Sequence, residues 1–229
     1  MYEKLTPHHL GQRKIMNTKI GLIASIVVSL NLCGCSDPKV ANDKNISAAL
    51  SDYLAGAGGA LCLNLAQWPL DLAPDDLRMM ARFPQGPAAE MHTLQQLGLA
   101  QSQDIKLDGV DFFNNPNIGK RYTLSEKGNT YYRSKSTDQF GQSYNSDLCF
   151  AHKKLERIMK WKPVGSDSRD HPQNVEVSYR YTLTDIAPWI NSIAFKATFP
   201  EVDTSVTAKY EQITLSSMDK GWWVKSTQN

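Results

Sequence analysis

Residues 175–183 read VEVSYRYTL, with Val175, Val177, Tyr179, Tyr181 and Leu183 on one side and Glu176, Ser178, Arg180 and Thr182 on the other. Side chains alternate across a strand, so this stretch must bury one face and wet the other. It commits the second half of the chain to a half-covered antiparallel sheet. Leu155 to Lys162 is the expected partner strand, joined to it by the long polar loop Gly165 to Asn174. Val206 to Ser216 alternates again, Asp219-Lys220-Gly221 makes a hairpin turn, and Trp222 to Lys225 closes the sheet. Between these strands, Ile186, Trp189, Ile190 and Ile193 share a helical spacing, so Asp185 to Phe195 is expected to be a crossover helix lying on the sheet. Residues 138–229 are therefore expected to form an antiparallel α+β part with one covering helix, entered through the polar loop Asp138 to Asp147.

The first half has helical and strand periods in short alternation. Ile46, Ala49, Leu50, Tyr53 and Leu54 mark one apolar helix face, with Asn45 as the expected cap and Gly56, Gly58 and Gly59 as the stop. Leu61, Leu63 and Leu65 alternate in a short strand that ends at Trp68-Pro69. Pro74 occupies a first-turn position, and Asp75 and Asp76 suit the positive end of a helix dipole. Pro87 opens a further helix in which Met91, Leu94 and Leu97 share a face and Gly98 caps the end. Ile105 and Leu107 read as one strand, Tyr122 and Leu124 as its return, and Ser125 as the cap of a short helix. These elements make up residues 46–137.

Ahead of both halves, Lys14 and Lys19 precede Ile20 to Leu32, which is apolar apart from Ser25, Ser29 and Asn31. That run falls short of the ~20 residues a membrane span needs and suits a secretory leader. It ends in Leu32-Cys33-Gly34-Cys35, which resembles the bacterial lipobox. The resemblance implies that Cys35 becomes the first mature residue and carries the lipid; Cys33 fits less well, because Leu32 stands where a small residue is wanted. Several acyl chains, at ~0.8 kcal/mol per buried methylene, make stable anchoring. With Ser36 next, the lipoprotein sorting rule implies the outer membrane. An uncleaved signal anchor or a plainly secreted protein are the alternatives. Met16 competes with Met1 as the start, since MNTKIGLIAS is the more compact leader. Residues 1–35 are thus read as signal peptide with lipobox and Ser36 to Asn45 (36–45) as a polar tether.

Removing the leader changes the charge. The whole chain is +2, but Lys4, Arg13, Lys14 and Lys19 leave with Glu3, so 25 basic and 23 acidic residues become 21 and 22. A nearly neutral chain gives no support for a nucleic-acid partner or an anionic surface. About 195 residues remain, enough for one large domain or two small ones. Of the cysteines, a lipidated Cys35 leaves Cys62 and Cys149 as a pair, and in an oxidising compartment the expectation is a disulfide. Two separate buried thiols are the alternative. A loop of that length constrains the unfolded chain by roughly 4–5 kcal/mol in the entropy model.

Leu94-Gln95-Gln96-Leu97-Gly98-Leu99, a hairpin, then Lys120-Arg121-Tyr122-Thr123-Leu124-Ser125-Glu126-Lys127-Gly128 resembles the helix–wing–helix portion of bacterial winged-helix proteins. The likeness covers roughly 35 residues and implies a winged-helix-like N-terminal part. A DNA reader of this kind wants Arg, Lys, Ser or Thr on its recognition helix. This helix offers Glu90, His92, Gln95 and Gln96 instead, behind a secretory leader. A scaffold for structure or protein contact is the expectation, since fold does not carry function. ALCLNLAQWPLDL, LQQLGLA, KRYTLSEKG, DLCFAHKKLERIMKWKPVG and VEVSYRYTLTDIAPW together resemble a family of uncharacterised proteobacterial envelope lipoproteins. That likeness spans most of the mature chain and implies no activity and no functional residues.

No catalytic, cofactor-binding or metal-binding motif is found. His92, His152 and His171 sit in no metal-like spacing, and Asp170-His171 are neighbours on a loop. GxSxG and CxxC are missing, and Gly56 to Ala60 follows a helix rather than opening one. Asp75 and Asp76 suit a helix start better than paired acid–base chemistry. Of Trp222 and Trp223, one is expected in the core and one at the edge, with a sugar or partner platform as the alternative. Lys153, Lys154, Arg157, Lys160 and Lys162 form a basic strand, read as a solvated face. The expectation is a membrane-anchored envelope lipoprotein that binds another protein, with an immunity-type binder as a narrower version. An envelope enzyme or a small-ligand carrier with a site between the halves is the alternative. Convergent carboxylates or a perturbed His in a cleft would favour the enzyme, and an apolar patch the binder.

Overall fold

The chain divides into two units, Met1–Cys35 and Ser36–Asn229. The computed structural model describes residues 37–65, 68–80, 82–110, 116–134, 136–137, 143–144, 146–165 and 172–225, all within the second unit. The expected lipidation site Cys35, together with Ser36, Asp170 and His171, lies outside the described residues.

The unit is α+β, with antiparallel sheets and short helices. Its largest sheet contains β1 (Ala60–Cys62), β8 (Asp147–Pro163), β9 (Asn174–Thr184), β10 (Tyr210–Met218) and β11 (Gly221–Val224) in that spatial order. The two-residue β5 (Tyr132–Arg133) pairs with the start of β8. The alternation read at residues 175–183 is realised in β9: Val175, Val177, Tyr179 and Tyr181 are buried, and the residues between them are partly exposed or exposed. Asp219 and Lys220 form the two-residue turn between β10 and β11, and Gly221 takes φ +130°, where a side chain would be strained.

The helix that covers this sheet is not the crossover but the first helix, α1 (Asp43–Ala55). Its buried Ile46, Leu50 and Leu54 pack on Val175, Val177, Tyr179, Tyr181, Leu215 and Trp222. Asn42, not Asn45, is its N-cap: the Asn42 side chain accepts from the Asn45 amide at 2.9 Å. Asn45 instead donates its side-chain amide to the carbonyls of Asp37 and Val40, tying the preceding turn to the helix start, so the last three residues of the segment expected as a tether (36–45) are helical. Gly56 ends α1, and the 3₁₀ turn Ala57–Gly59 leads into β1.

The crossover expected at 185–195 is three pieces. Asp185 turns the chain with φ +53°, Pro188–Asn191 form a 3₁₀ turn, and α5 (Ile193–Thr198) and α6 (Pro200–Thr207) follow. Pro188 and Pro200 cannot sit inside a continuous helix, so each begins a new turn. The expected face breaks apart accordingly. Trp189 and Ile190 are buried, whereas Ile186 is 45% and Ile193 88% exposed. Val206, read as the start of a strand, belongs to α6, and the strand starts at Tyr210.

The second sheet is β2 (Leu70–Leu72), β4 (Pro116–Leu124) and β3 (Ala100–Val110), in that spatial order. Between β2 and β3 lie α2 (Pro74–Met79) and α3 (Pro87–Gln96), and α4 (Glu126–Asn129) follows β4. The caps are those the residues call for. Pro74 and Pro87 open their helices, Gly98 takes φ +71° after α3, and Ser125 caps α4 by accepting from the Gly128 amide. Gly128 lies against the Leu99 carbonyl, where a Cβ would overlap it. The short β6 (Ser136–Thr137) and β7 (Ser143–Tyr144) pair with each other.

Two cores result, and neither follows the division at residue 138. One joins α3 and the second sheet to the start of β8 and the crossover, through Leu63, Met91, Leu94, Tyr122, Leu148, Phe150, Trp189 and Phe195. The other lies under α1. Thr93 and Thr198, both buried, satisfy each other across the first core with an Oγ1–Oγ1 distance of 2.9 Å.

Candidate functional site

The run LRMMARF, residues 77–83, is short of polar residues for a surface connection. α2 has no buried residue and the chain leaves it at Met80, so part of this apolar cluster stays at the surface. Met79 is 37% and Phe83 57% exposed. Together with Leu70 and Leu72 of β2 and Met91 of α3, they bound an open groove of about 1020 Å³. Three of its walls are methionines, whose unbranched side chains adapt to differently shaped partners.

Polar groups stand at defined places around it. Asp76 is held at the helix start, its Oδ2 accepting from the Ala73 amide at 2.9 Å. Arg82 is exposed on the connection. Glu90, in the first turn of α3, is half-buried on the groove wall. Its carboxyl is pushed above the usual range, first by burial and then by the Glu201 carboxylate of α6.

A second, smaller cavity of about 460 Å³ lies between the end of α1 and the β8–β9 pair, bordered by Ser51, His152, Lys153, Lys154 and Thr184. Beside it, Lys153 of β8 and the Tyr179 hydroxyl of β9 both donate to the Glu211 carboxylate of β10. The Lys153 ammonium also lies 5.2 Å from the centre of the Tyr181 ring. Burial raises the Tyr179 hydroxyl pKa, and the bond to Glu211 raises it further. These groups tie three adjacent strands together, which is a structural use of buried polarity.

The other residues singled out in the sequence are dispersed. Cys62 and Cys149 are bonded, at directly opposed positions of β1 and β8. His92 is exposed and bonds Gln96 one helical turn on, at 3.0 Å. His152 lies against Gly59, with the Arg133 guanidinium 3.5 Å from its Nδ1. Asp75 pairs with Arg78 on α2. Trp222 is buried under α1 and Trp223 is half-exposed. On the basic strand, Lys153 and Lys162 are paired with Glu211 and Glu176. Among the described residues, no three His, Cys, Asp or Glu side chains converge as metal ligands, and no helix is long and apolar enough to cross a membrane.

Sequence reasoning missed Glu90 as a groove residue. The signal for the groove was present: three methionines and a phenylalanine within Met79 to Met91, flanking Pro84, Gly86 and Pro87. No protein-family model, curated protein or solved structure matches this chain.

Proposed function

We propose that this chain is a lipid-tethered protein of the bacterial envelope that binds an apolar segment of another protein in the groove beside α2 and α3. The groove carries the reading. Apolar side chains on a monomer surface cost hydration free energy, and their clustering around a concavity marks a contact site. The tether reading rests on the basic, apolar leader and on Cys35. The likeness to proteobacterial envelope lipoproteins belongs to the same proposal. So does the winged-helix-like reading, supported by the order α3, hairpin β3–β4 and α4, with β2 completing the three-stranded sheet. On this reading the outer face of α3, with His92, Gln95 and Gln96, is scaffold and the groove is the working surface.

The test is a photo-crosslinking residue placed at Phe83 in intact cells, with a second at Lys160 on β8 as control. The expected outcome is one dominant protein adduct at Phe83 and none at Lys160, with a Cys35→Ser chain released from the membrane fraction. Equal adducts at both positions would remove the groove from the proposal, and membrane retention of Cys35→Ser would remove the lipid anchor.

A further inference from the structure

The groove has a charge as well as a shape. Glu90 lines the groove beside Met91 and Ala88 of its own helix, in a lining that also holds Asn64 and Gln85, and among the described residues no cation bonds its carboxylate. The charge that acts on it is a second carboxylate, Glu201, from a different element. Asp76 adds another acidic group at the edge of the same groove, with Arg82 the one cation among the described lining residues. A half-buried carboxylate facing like charge is poorly placed in the free protein, and the attraction of a cation brought by a ligand would offset the desolvation and the repulsion.

We infer that the partner segment is amphipathic and basic: its apolar side chains seat among Met79, Met80 and Phe83, and a lysine or arginine reaches Glu90. This inference rests on the protein-binding reading above and adds the chemistry of the occupant. The apolar walls supply area burial, which is indifferent to sequence detail, and Glu90 selects sign and register. Because Glu90 must be ionised to pair, binding is expected to tighten as pH rises through its raised pKa. Glu90 is faced by Glu201 from α6 and shares the groove with Asp76 and Arg82.

Two fluorescently labelled synthetic peptides test this against the purified full chain in nanodiscs of zwitterionic lipid. One is an amphipathic leucine–lysine helix and the other its leucine–glutamate counterpart, and anisotropy is read with empty nanodiscs as the baseline. The expected result is binding of the lysine peptide about tenfold or more tighter than the glutamate peptide. Glu90→Gln should reduce that preference and flatten the pH dependence, while Phe83→Ser weakens both peptides alike. Circular dichroism of each variant establishes that it is folded, and Glu90→Asp, which keeps the charge, should retain part of the preference. Equal binding of the two peptides, or a lysine preference unchanged in Glu90→Gln, overturns the inference. Binding of the lysine peptide to empty nanodiscs as tight as to loaded ones assigns it to lipid and likewise overturns it. If cellular crosslinking at Phe83 persists while the peptides show no charge preference, the groove stands and only the basic occupant falls.

Discussion

Asp147 sits in an environment that its place in the sequence does not announce. It opens β8 in what reads as a polar loop, yet burial raises its carboxyl pKa to about 7, against the opposing bonds from the Leu148 amide at 2.7 Å and the Leu65 amide at 3.4 Å. The unfolded chain leaves this group near 3.8. The native state therefore holds its proton more tightly, and the stability this contributes is full below about pH 4 and lost as pH rises through about 7. Asp147→Asn keeps an acceptor for Leu148 and removes the charge. Urea unfolding should find the variant more stable at pH 8, by about 1–2 kcal/mol once partial solvent exposure is allowed for, with the two proteins converging near pH 4. Parallel stability profiles across that range would show that Asp147 is not the titrating group. Neither Asp147 nor Glu90 was legible in the sequence as a special carboxylate. Asp147 accepts from the Leu65 amide and Glu90 is acted on by Glu201, each far along the chain, and no local pattern records that.

At the scale of elements, what local rules govern was legible and what tertiary choice governs was not. The alternation in β9, the Ser125 cap, the prolines opening α2 and α3, Gly98 and the Asp219-Lys220 turn all follow from the backbone demands of a few adjacent residues. The apolar face of α1 was also legible, but a helical period says only that a face is buried, not against which sheet. At 185–195 the apolar spacing outweighed Pro188, and the structure follows the proline. The groove was legible as composition, in the methionines of 79–91, and not as a place. The covering role of α1 has a direct consequence. Leu50 is fully buried between the helix and the large sheet, so Leu50→Ala should cost about 2–5 kcal/mol in urea unfolding. Lys44→Ala, on the exposed side of the same helix, should stay within about 0.5 kcal/mol of wild type. Near-wild-type stability of Leu50→Ala would mean that the helix contributes little to the core of the large sheet.

For the molecule as a whole, β8 contributes to both cores, as does Leu183 of β9. Its first residues, Leu148 and Phe150, belong to the core with α3, and its later Leu155, Ile158 and Trp161 pack under α1. The Cys62–Cys149 bond joins β1 to β8 near the start of that shared strand, 87 residues apart in sequence. Because β1 follows α1 directly, the bond links the α1 end of one core to the strand that enters the other. Opening it releases a long loop in the unfolded chain, worth about 2–5 kcal/mol in the native balance. The cost should be felt by both cores together. In a Cys62→Ser, Cys149→Ser chain, hydrogen exchange should accelerate by a similar factor at the Leu94 amide in the first core and the Val177 amide in the second. An effect confined to one of them would show that the cores unfold independently and that β8 does not couple them.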